Sequence, residues 1–475
     1  MFRLAENDSI QPVFLENMMP YFRALRQEAP HIFKIFGPLL ISQYAQIANG
    51  IIDTAMAARL GTVELGGVAV GVAIWMPVYM FVIGILISVL ILVAQSHGAG
   101  DRDGAVVLGH QGLWMGGVLG LAASCIIIPL SQYAAWFGAD AQLMQTSRAY
   151  IWSVAWGLPL GGMAVSLRFF CEGQNVVFPV TVMAVIIVGC KTILNYALMF
   201  GNLGAPALGV QGCGLSSAIS MGLLLLMLAF YISFSKHFAA RRFMRHIQWP
   251  RFQTIKQFFK LGLPVAFGIT SEYLVASVIT IFISTTTVTA VAAHQVAFSC
   301  MMLFFATPAA LSMTASIRVG NLWGEKHVAE SRDAIKGIMA LSVIIGLVFT
   351  VLMLAGAPSL AYMFSKDTAV ALLAASALRF GAFFQLADSM QVCLNGVLRG
   401  VGDTTAPFVI TAIVYWLFCI PVGYVLSGMP LPWGLGLSPD LLGIRGWWLS
   451  LTISLFVVSF LLARRVRHTF WLAAK

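Results

Sequence analysis

A chain of 475 residues with 59% hydrophobic and only 10% charged side chains departs from soluble proteins, in which about 25% of residues are charged. Most of it must face lipid or other apolar helices. The net charge of +10 gathers in the breaks between apolar runs, which is a membrane-topology signature and excludes a nucleic-acid-binding face.

Residues 1–30 are polar and amphipathic and lack the charged, apolar, small-residue order of a cleaved signal, so they are expected to form a cytoplasmic tail. Beyond them, apolar runs separated by short polar breaks predict about twelve helices, each near the length of about 20 residues that a bilayer requires. They fall at roughly 33–58, 64–93, 106–129, 146–170, 177–200, 209–235, 258–283, 288–317, 335–357, 370–398, 406–428 and 443–465. Strand-type alternation does not run over these lengths, which excludes a β-barrel.

The first predicted helix carries Gln43, Gln46, Asn49 and Asp53 on one face. The third and fourth carry Gly112-x-x-x-Gly116-x-x-x-Gly120 and Gly157-x-x-x-Gly161, spacings that let helices pack closely. The fifth holds Lys191 and Asn195, four residues apart. Lys191 is too deep to snorkel with ease, and its cheapest partner in this half is Asp53; the alternative is that it snorkels or sits uncharged. The seventh helix places Glu272 near its middle, and the eighth contributes His294 and Gln295. The tenth carries Gln385, Asp388, Gln391 and Asn395 along one stripe. A carboxylate at the bilayer centre costs about 2.5–3.5 kcal/mol on insertion scales, so each of these acids needs a reason to be there. Either they line a wet chamber suited to Na⁺ or protons, or they belong to a hydrogen-bonded network that fixes helix packing.

The break after the sixth helix is the most basic: Lys236, Arg241, Arg242, Arg245, Arg251, Lys256 and Lys260. Arg464, Arg465 and Arg467 follow the last helix, and Arg23, Arg26 and Lys34 precede the first. An even helix count puts all three regions on one side, and the positive charge makes that side cytoplasmic, both termini included. Gly/Pro-rich residues 428–443 then form an external loop. Seven cysteines lie scattered in apolar segments, without the spacing of a zinc site or a disulfide framework.

The chain is also written twice. Leu208-Gly209-Val210-Gln211-Gly212 through Ser220 recurs as Leu442-Gly443-Ile444-Arg445-Gly446 through Ser454, identical at 7 of 13 positions, and Lys34, Pro38 and Pro179 match Lys260, Pro264 and Pro407. The expected fold is an all-α membrane protein of about twelve transmembrane helices in two six-helix lobes related by a parallel internal repeat. The expected segments are a tail at 1–30, lobes at 31–235 and 258–465, a basic linker at 236–257 and a second tail at 466–475. Paired bundles of this kind place transport sites near the midplane.

Several motifs together carry a resemblance. They are Pro38 with Asp53-Thr54-Ala55-Met56-Ala57-Ala58-Arg59-Leu60-Gly61, Glu172-Gly173-Gln174, Ala292-Ala293-His294-Gln295, and Leu398-Arg399-Gly400-x-Gly402-Asp403-Thr404. Over roughly residues 31–465 the chain resembles the multidrug and toxic compound extrusion (MATE) transporters, in particular their NorM-like bacterial branch. The resemblance implies two lobes forming a V with alternating access, working as a monomer in the bacterial inner membrane. It implies export of organic cations and drugs against inward Na⁺ or H⁺, with no cofactor beyond the coupling ion. By position, Glu272 and Asp388 match the second-lobe cation-site acids, which would ligate Na⁺ in a sodium-coupled member, and Gln295 matches a polar residue near them. Asp53 matches the first-lobe acid, joined here by Lys191 and Asn195, and Asp367 matches one acid of an external pair near the drug site. Three positions depart from the pattern. Phe384 stands where a ligating tyrosine is expected, Lys366 replaces the other external acid, and Lys191 appears where many relatives have asparagine.

A lipid-linked precursor or polysaccharide flippase of a related fold is the alternative, but it would want a cationic cavity rather than interior acids. The interfacial loops are short and their only cluster, Arg399 with Asp403, reads as a helix-end structure, which argues against an integral-membrane enzyme. No Gly-x-x-x-x-Gly-Lys-Ser/Thr motif points to ATP as the energy source.

Overall fold

Lipid offers no partner for backbone N–H and C=O groups, so an apolar chain of this kind satisfies them within helices. The computed structural model describes residues 11–133, 141–235, 238, 243, 248–428 and 442–472, and among them there is no β-strand. The first half comprises α1 (Gln11–Leu60), α2 (Thr62–Gly98), α3 (Arg102–Tyr133), α4 (Ala141–Ala155), α5 (Leu158–Gly173), α6 (Phe178–Phe200) and α7 (Val210–Phe234). The second comprises α8 (Phe252–Ser284), α9 (Val288–Gly324), α10 (Val328–Phe364), α11 (Thr368–Phe380), α12 (Ala382–Gly400), α13 (Thr405–Val414), a π-helical turn (Tyr415–Cys419), α14 (Ile420–Leu426) and α15 (Ile444–Arg467).

Among the described residues, nine helical stretches are long and apolar enough to cross a membrane. Two bent pairs, α4/α5 at 49° and α11/α12 at 50°, raise the number to eleven. The polar stripe of α1 keeps it out of that set by composition, but α1 packs beside α2 and α6 and completes the first lobe. Both bent pairs replace a span expected to be continuous. A hydroxyl-to-carbonyl bond braces each bend: Ser124 of α3 donates to the Ala155 carbonyl at 2.6 Å, and Thr350 of α10 donates to the Ala382 carbonyl at 3.1 Å. The Ala155 carbonyl, left free at the end of α4 because Pro159 has no N–H, thus finds a hydroxyl on the neighbouring span, whereas Thr350 ties α10 to the first residue of α12.

The repeat is legible in the backbone. Gly209 (φ 56, ψ −130) and Gly443 (φ 52, ψ −129) precede α7 and α15 in a left-handed conformation that glycine adopts without a Cβ penalty. Three residues on, Gly212 and Gly446 abut the backbones of Leu198 and Leu426, where any side chain would clash.

The lobes meet along α2, which crosses α8 and α9, and along α1, which reaches α9 and α10. At the midpoint a Cβ on Gly84 would stand 2.5 Å from the Ala266 Cα, so glycine permits the crossing. At the basic end the contacts turn polar. Gln95 donates to the Gly400 carbonyl at 2.8 Å and Asn321 to Asn175 at 2.9 Å, while Arg318 Nε and Nη2 reach Glu28 at 3.0 and 3.2 Å. Residues 19–30, expected as a tail, continue α1 and pack on α10 through Ala24 and Leu25 against Gly337. Linker residues 248–251 lie along α3, where Gln111 bonds both Trp249 and Arg251. Lys236, Arg241, Arg242 and Arg245 lie outside the described residues, as does most of the predicted loop 428–443.

Candidate functional site

Two polar clusters interrupt the apolar interior, one in each lobe. In the first, helical spacing puts Lys191 and Asn195 of α6 one turn apart and facing Asp53 of α1. Lys191 Nζ is 2.6 Å from Asp53 Oδ2, and Asn195 Nδ2 donates to Asp53 Oδ1 at 2.8 Å. The Ser216 hydroxyl of α7, from the repeated motif, stands against Asn195 Oδ1 and the Cys213 carbonyl. All four side chains are buried.

In the second lobe, Gln391 of α12 donates to Glu272 Oε1 of α8 at 2.9 Å, and the Tyr415 hydroxyl donates to Gln391 Oε1 at 3.2 Å. Asp388, one turn before Gln391, is buried and lies within electrostatic reach of Glu272. Its Oδ2 is buried without a protein hydrogen-bond partner, as are Gln385 Oε1 and Asn395 Oδ1 on the same stripe. Buried oxygens with free lone pairs are suited to a hard cation, a proton or bridging water. Phe384, one turn before Asp388, adds an apolar ring 6.2 Å from the Trp448 ring. Arg399, within electrostatic reach of Glu272, donates to the Ser312 hydroxyl at 2.6 Å.

Tyr415 is the residue that the sequence did not single out. Pro421 has no N–H to offer the Leu417 carbonyl, and here the ladder slips to a π-turn in which Ile420 N–H bonds the Tyr415 carbonyl. The turn directs Tyr415 to Gln391 and Trp416 Nε1 to the Ser271 hydroxyl at 2.8 Å, gripping the residue before Glu272. A tyrosine hydroxyl five residues before a membrane Ile-Pro step was the available signal.

Two expected members stand elsewhere. Gln295 is exposed on α9 and, among the described residues, bonds neither Glu272 nor Asp388. The inward position of that turn belongs to His294, which meets Thr280 at 3.2 Å and packs against Trp448. Asp367 is the N-cap of α11, its carboxylate accepting from the amides of Ala369 at 2.8 Å and Val370 at 3.3 Å. Of Arg399 and Asp403, only Asp403 is helix-end structure, accepting from Ala406 N–H and pairing with Arg465 at 2.7 Å, whereas Arg399 turns to Ser312.

Duplicated lobes, a bilayer's worth of apolar helices and a buried acidic cluster define a multi-pass membrane protein of transporter type. The MatE family model matches residues 38–197 and 264–425, one segment in each lobe. The chain belongs to the MatE family. Curated relatives include the probable multidrug resistance protein NorM of Acinetobacter baylyi, 32% identical over 93% of this chain and 96% of that protein. The multidrug resistance protein MdtK of Proteus mirabilis is 30% identical over 89% of this chain and 96% of its own length. The fold also matches the eukaryotic MATE transporter AtDTX14, with a TM-score of 0.82 at 20% identity over 93% of this chain and 96% of that one.

Proposed function

We propose that this chain is a secondary antiporter of the bacterial inner membrane, exporting organic cations and drugs in exchange for Na⁺ or H⁺ taken up at Glu272 and Asp388. The observation that carries this reading is Asp388 Oδ2, a buried carboxylate oxygen with no hydrogen-bond partner among the described residues, within electrostatic reach of a Glu272 oriented by Gln391. A carboxylate at that depth is costly unless it is charged against a cation or protonated, so ion loading and the protein's conformation are linked. Exchange follows if ion and drug favour different lobe arrangements, since a ligand of equal affinity for both arrangements moves neither.

The positive-inside rule places the basic face and both termini in the cytoplasm. Gln95–Gly400, Asn321–Asn175 and Arg318–Glu28 join the lobes at that face, and Tyr44–Thr307 joins them deeper, which supports an arrangement closed toward the cytoplasm. The working unit is a monomer without a prosthetic group. Reconstitution in liposomes with ethidium as the transported probe, under an imposed Na⁺ or H⁺ gradient, tests the reading. Efflux driven by one gradient and lost in Glu272→Gln and Asp388→Asn is the expected result; coupled efflux that survives both substitutions refutes the assignment.

A further inference from the structure

We propose that Lys191 is a built-in counter-cation for Asp53, so that the first lobe carries its positive charge covalently and the coupling ion loads in the second lobe alone. This rests on the antiport reading above. Both Asp53 oxygens already hold donors, Lys191 Nζ at 2.6 Å and Asn195 Nδ2 at 2.8 Å, and Asn195 is itself held by Ser216. Asp53 and Lys191 are each only 8% exposed, so neither charge is dispersed into solvent. The cluster is neutral as it stands.

A free ion entering it would have to displace the ammonium and leave that charge buried without its partner. The tether makes the competition one-sided, because an ammonium on α6 has already surrendered the translational freedom that a solution ion still has to lose. The second lobe presents the opposite arrangement, two carboxylates with Asp388 Oδ2 unpartnered among the described residues and no cation bonded to either acid, Arg399 lying within electrostatic reach of Glu272 but donating to Ser312.

The internal repeat sharpens the contrast. At the offset that matches Pro38 to Pro264, Asp53 corresponds to Ile279. At the offset that matches Pro179 to Pro407, Lys191 corresponds to Cys419. Neither member of the pair has a charged counterpart in the other lobe, as expected if the two charges serve each other. The lobes thus share a fold while only one keeps an open anionic site. The pair also ties α1 to α6, so the first lobe holds this geometry without waiting for an ion.

The test uses purified full-length protein in which Glu272→Gln and Asp388→Asn silence the second lobe. Two readouts follow cation binding: the rise in melting temperature in NaCl over choline chloride, and proton release when ethidium is added in weakly buffered detergent. The silenced protein is expected to show neither response, and adding Lys191→Asn is expected to restore at least one. Lys191→Gln, which keeps most of the stem's bulk, serves if the asparagine variant does not fold. A response in the silenced protein that Asp53→Asn removes overturns the proposal, because Asp53 would then be loading an ion beside Lys191. The absence of any response after either lysine substitution in folded protein also overturns it. Failure of the antiport reading appears separately, as coupled ethidium efflux by the silenced protein.

Discussion

Gly98 ends α2 at the basic face, and a methyl group there tests whether the polar inter-lobe contacts hold this arrangement. A Cβ at that position would press on the Asn321 carbonyl oxygen and lie 2.7 Å from its carbon and 2.9 Å from its Cα. Ordinary contact begins at 3.4 Å, so α9 must retreat by more than about 0.7 Å, since the carbonyl oxygen lies closer still, and backbone has no alternative rotamer to adopt. Overpacking of this kind costs about 1–3 kcal/mol. The same displacement loosens the Asn321–Asn175 hydrogen bond of 2.9 Å. Helix propensity works the other way, alanine being favoured over glycine by about 1 kcal/mol, so any loss of stability in Gly98→Ala belongs to the contact. If the lobes separate here when the opposite face closes, that energy shifts the population by about 5–150-fold. Spin labels at exposed Arg102 and Ala329, one on each lobe, report the change as a longer distance in pulsed dipolar spectroscopy. Gly189→Ala is the control, since a Cβ there meets nothing within 4 Å. A Gly98→Ala distance distribution that overlays the wild type refutes the claim that this contact holds the lobes.

Three further outcomes follow from the same geometry. Tyr415→Phe leaves Gln391 Oε1 without its donor and frees Gln391 to turn from Glu272, a loss of about 1–2 kcal/mol. It should weaken the half-saturating concentration of the driving ion about 5–30-fold in the liposome assay, and an unchanged ion dependence would remove Tyr415 from the chamber. Glu28→Gln keeps an acceptor for Arg318 but removes the charge from a two-bond ion pair whose side chains are 12% and 19% exposed. About 1–2 kcal/mol is expected to go with it, read as a lower melting temperature and a longer Arg102–Ala329 label distance; wild-type values of both would show the clamp to be idle. Asp367→Ala removes both side-chain bonds to the first turn of α11 and should lower the melting temperature by the equivalent of about 1 kcal/mol, whereas an unchanged value would show that the cap contributes nothing.

Much of the second-lobe chamber was legible before any coordinates. Helical spacing alone put Gln385, Asp388, Gln391 and Asn395 on one stripe, and the cost of burying a charge marked Glu272 and Asp388. The same cost argument named Asp53 as the partner for Lys191, and the two stand 2.6 Å apart. Gln295 shows the limit: its neighbour His294 sits only one residue away, and which of the two faces inward depends on how α9 is rotated against α8 and α12. Asp367 shows another limit, since an acid before a helix reads equally well as a mouth residue or as a cap until the amide positions are known.

The sequence by itself determined the solvent, the secondary structure and the doubling of this protein. Composition, apolar run length and internal repetition are local or summed quantities that need no knowledge of how helices cross. Tertiary structure alone decided the bends at Gly157 and Gly381, the π-turn that brings Tyr415 to Gln391, and the sealing of the basic face through Gln95, Asn175 and Asn321. Each depends on a carbonyl or side chain finding a partner on a different span. In lipid, where water cannot stand in, the positions of the neighbouring helices determine which partner that is.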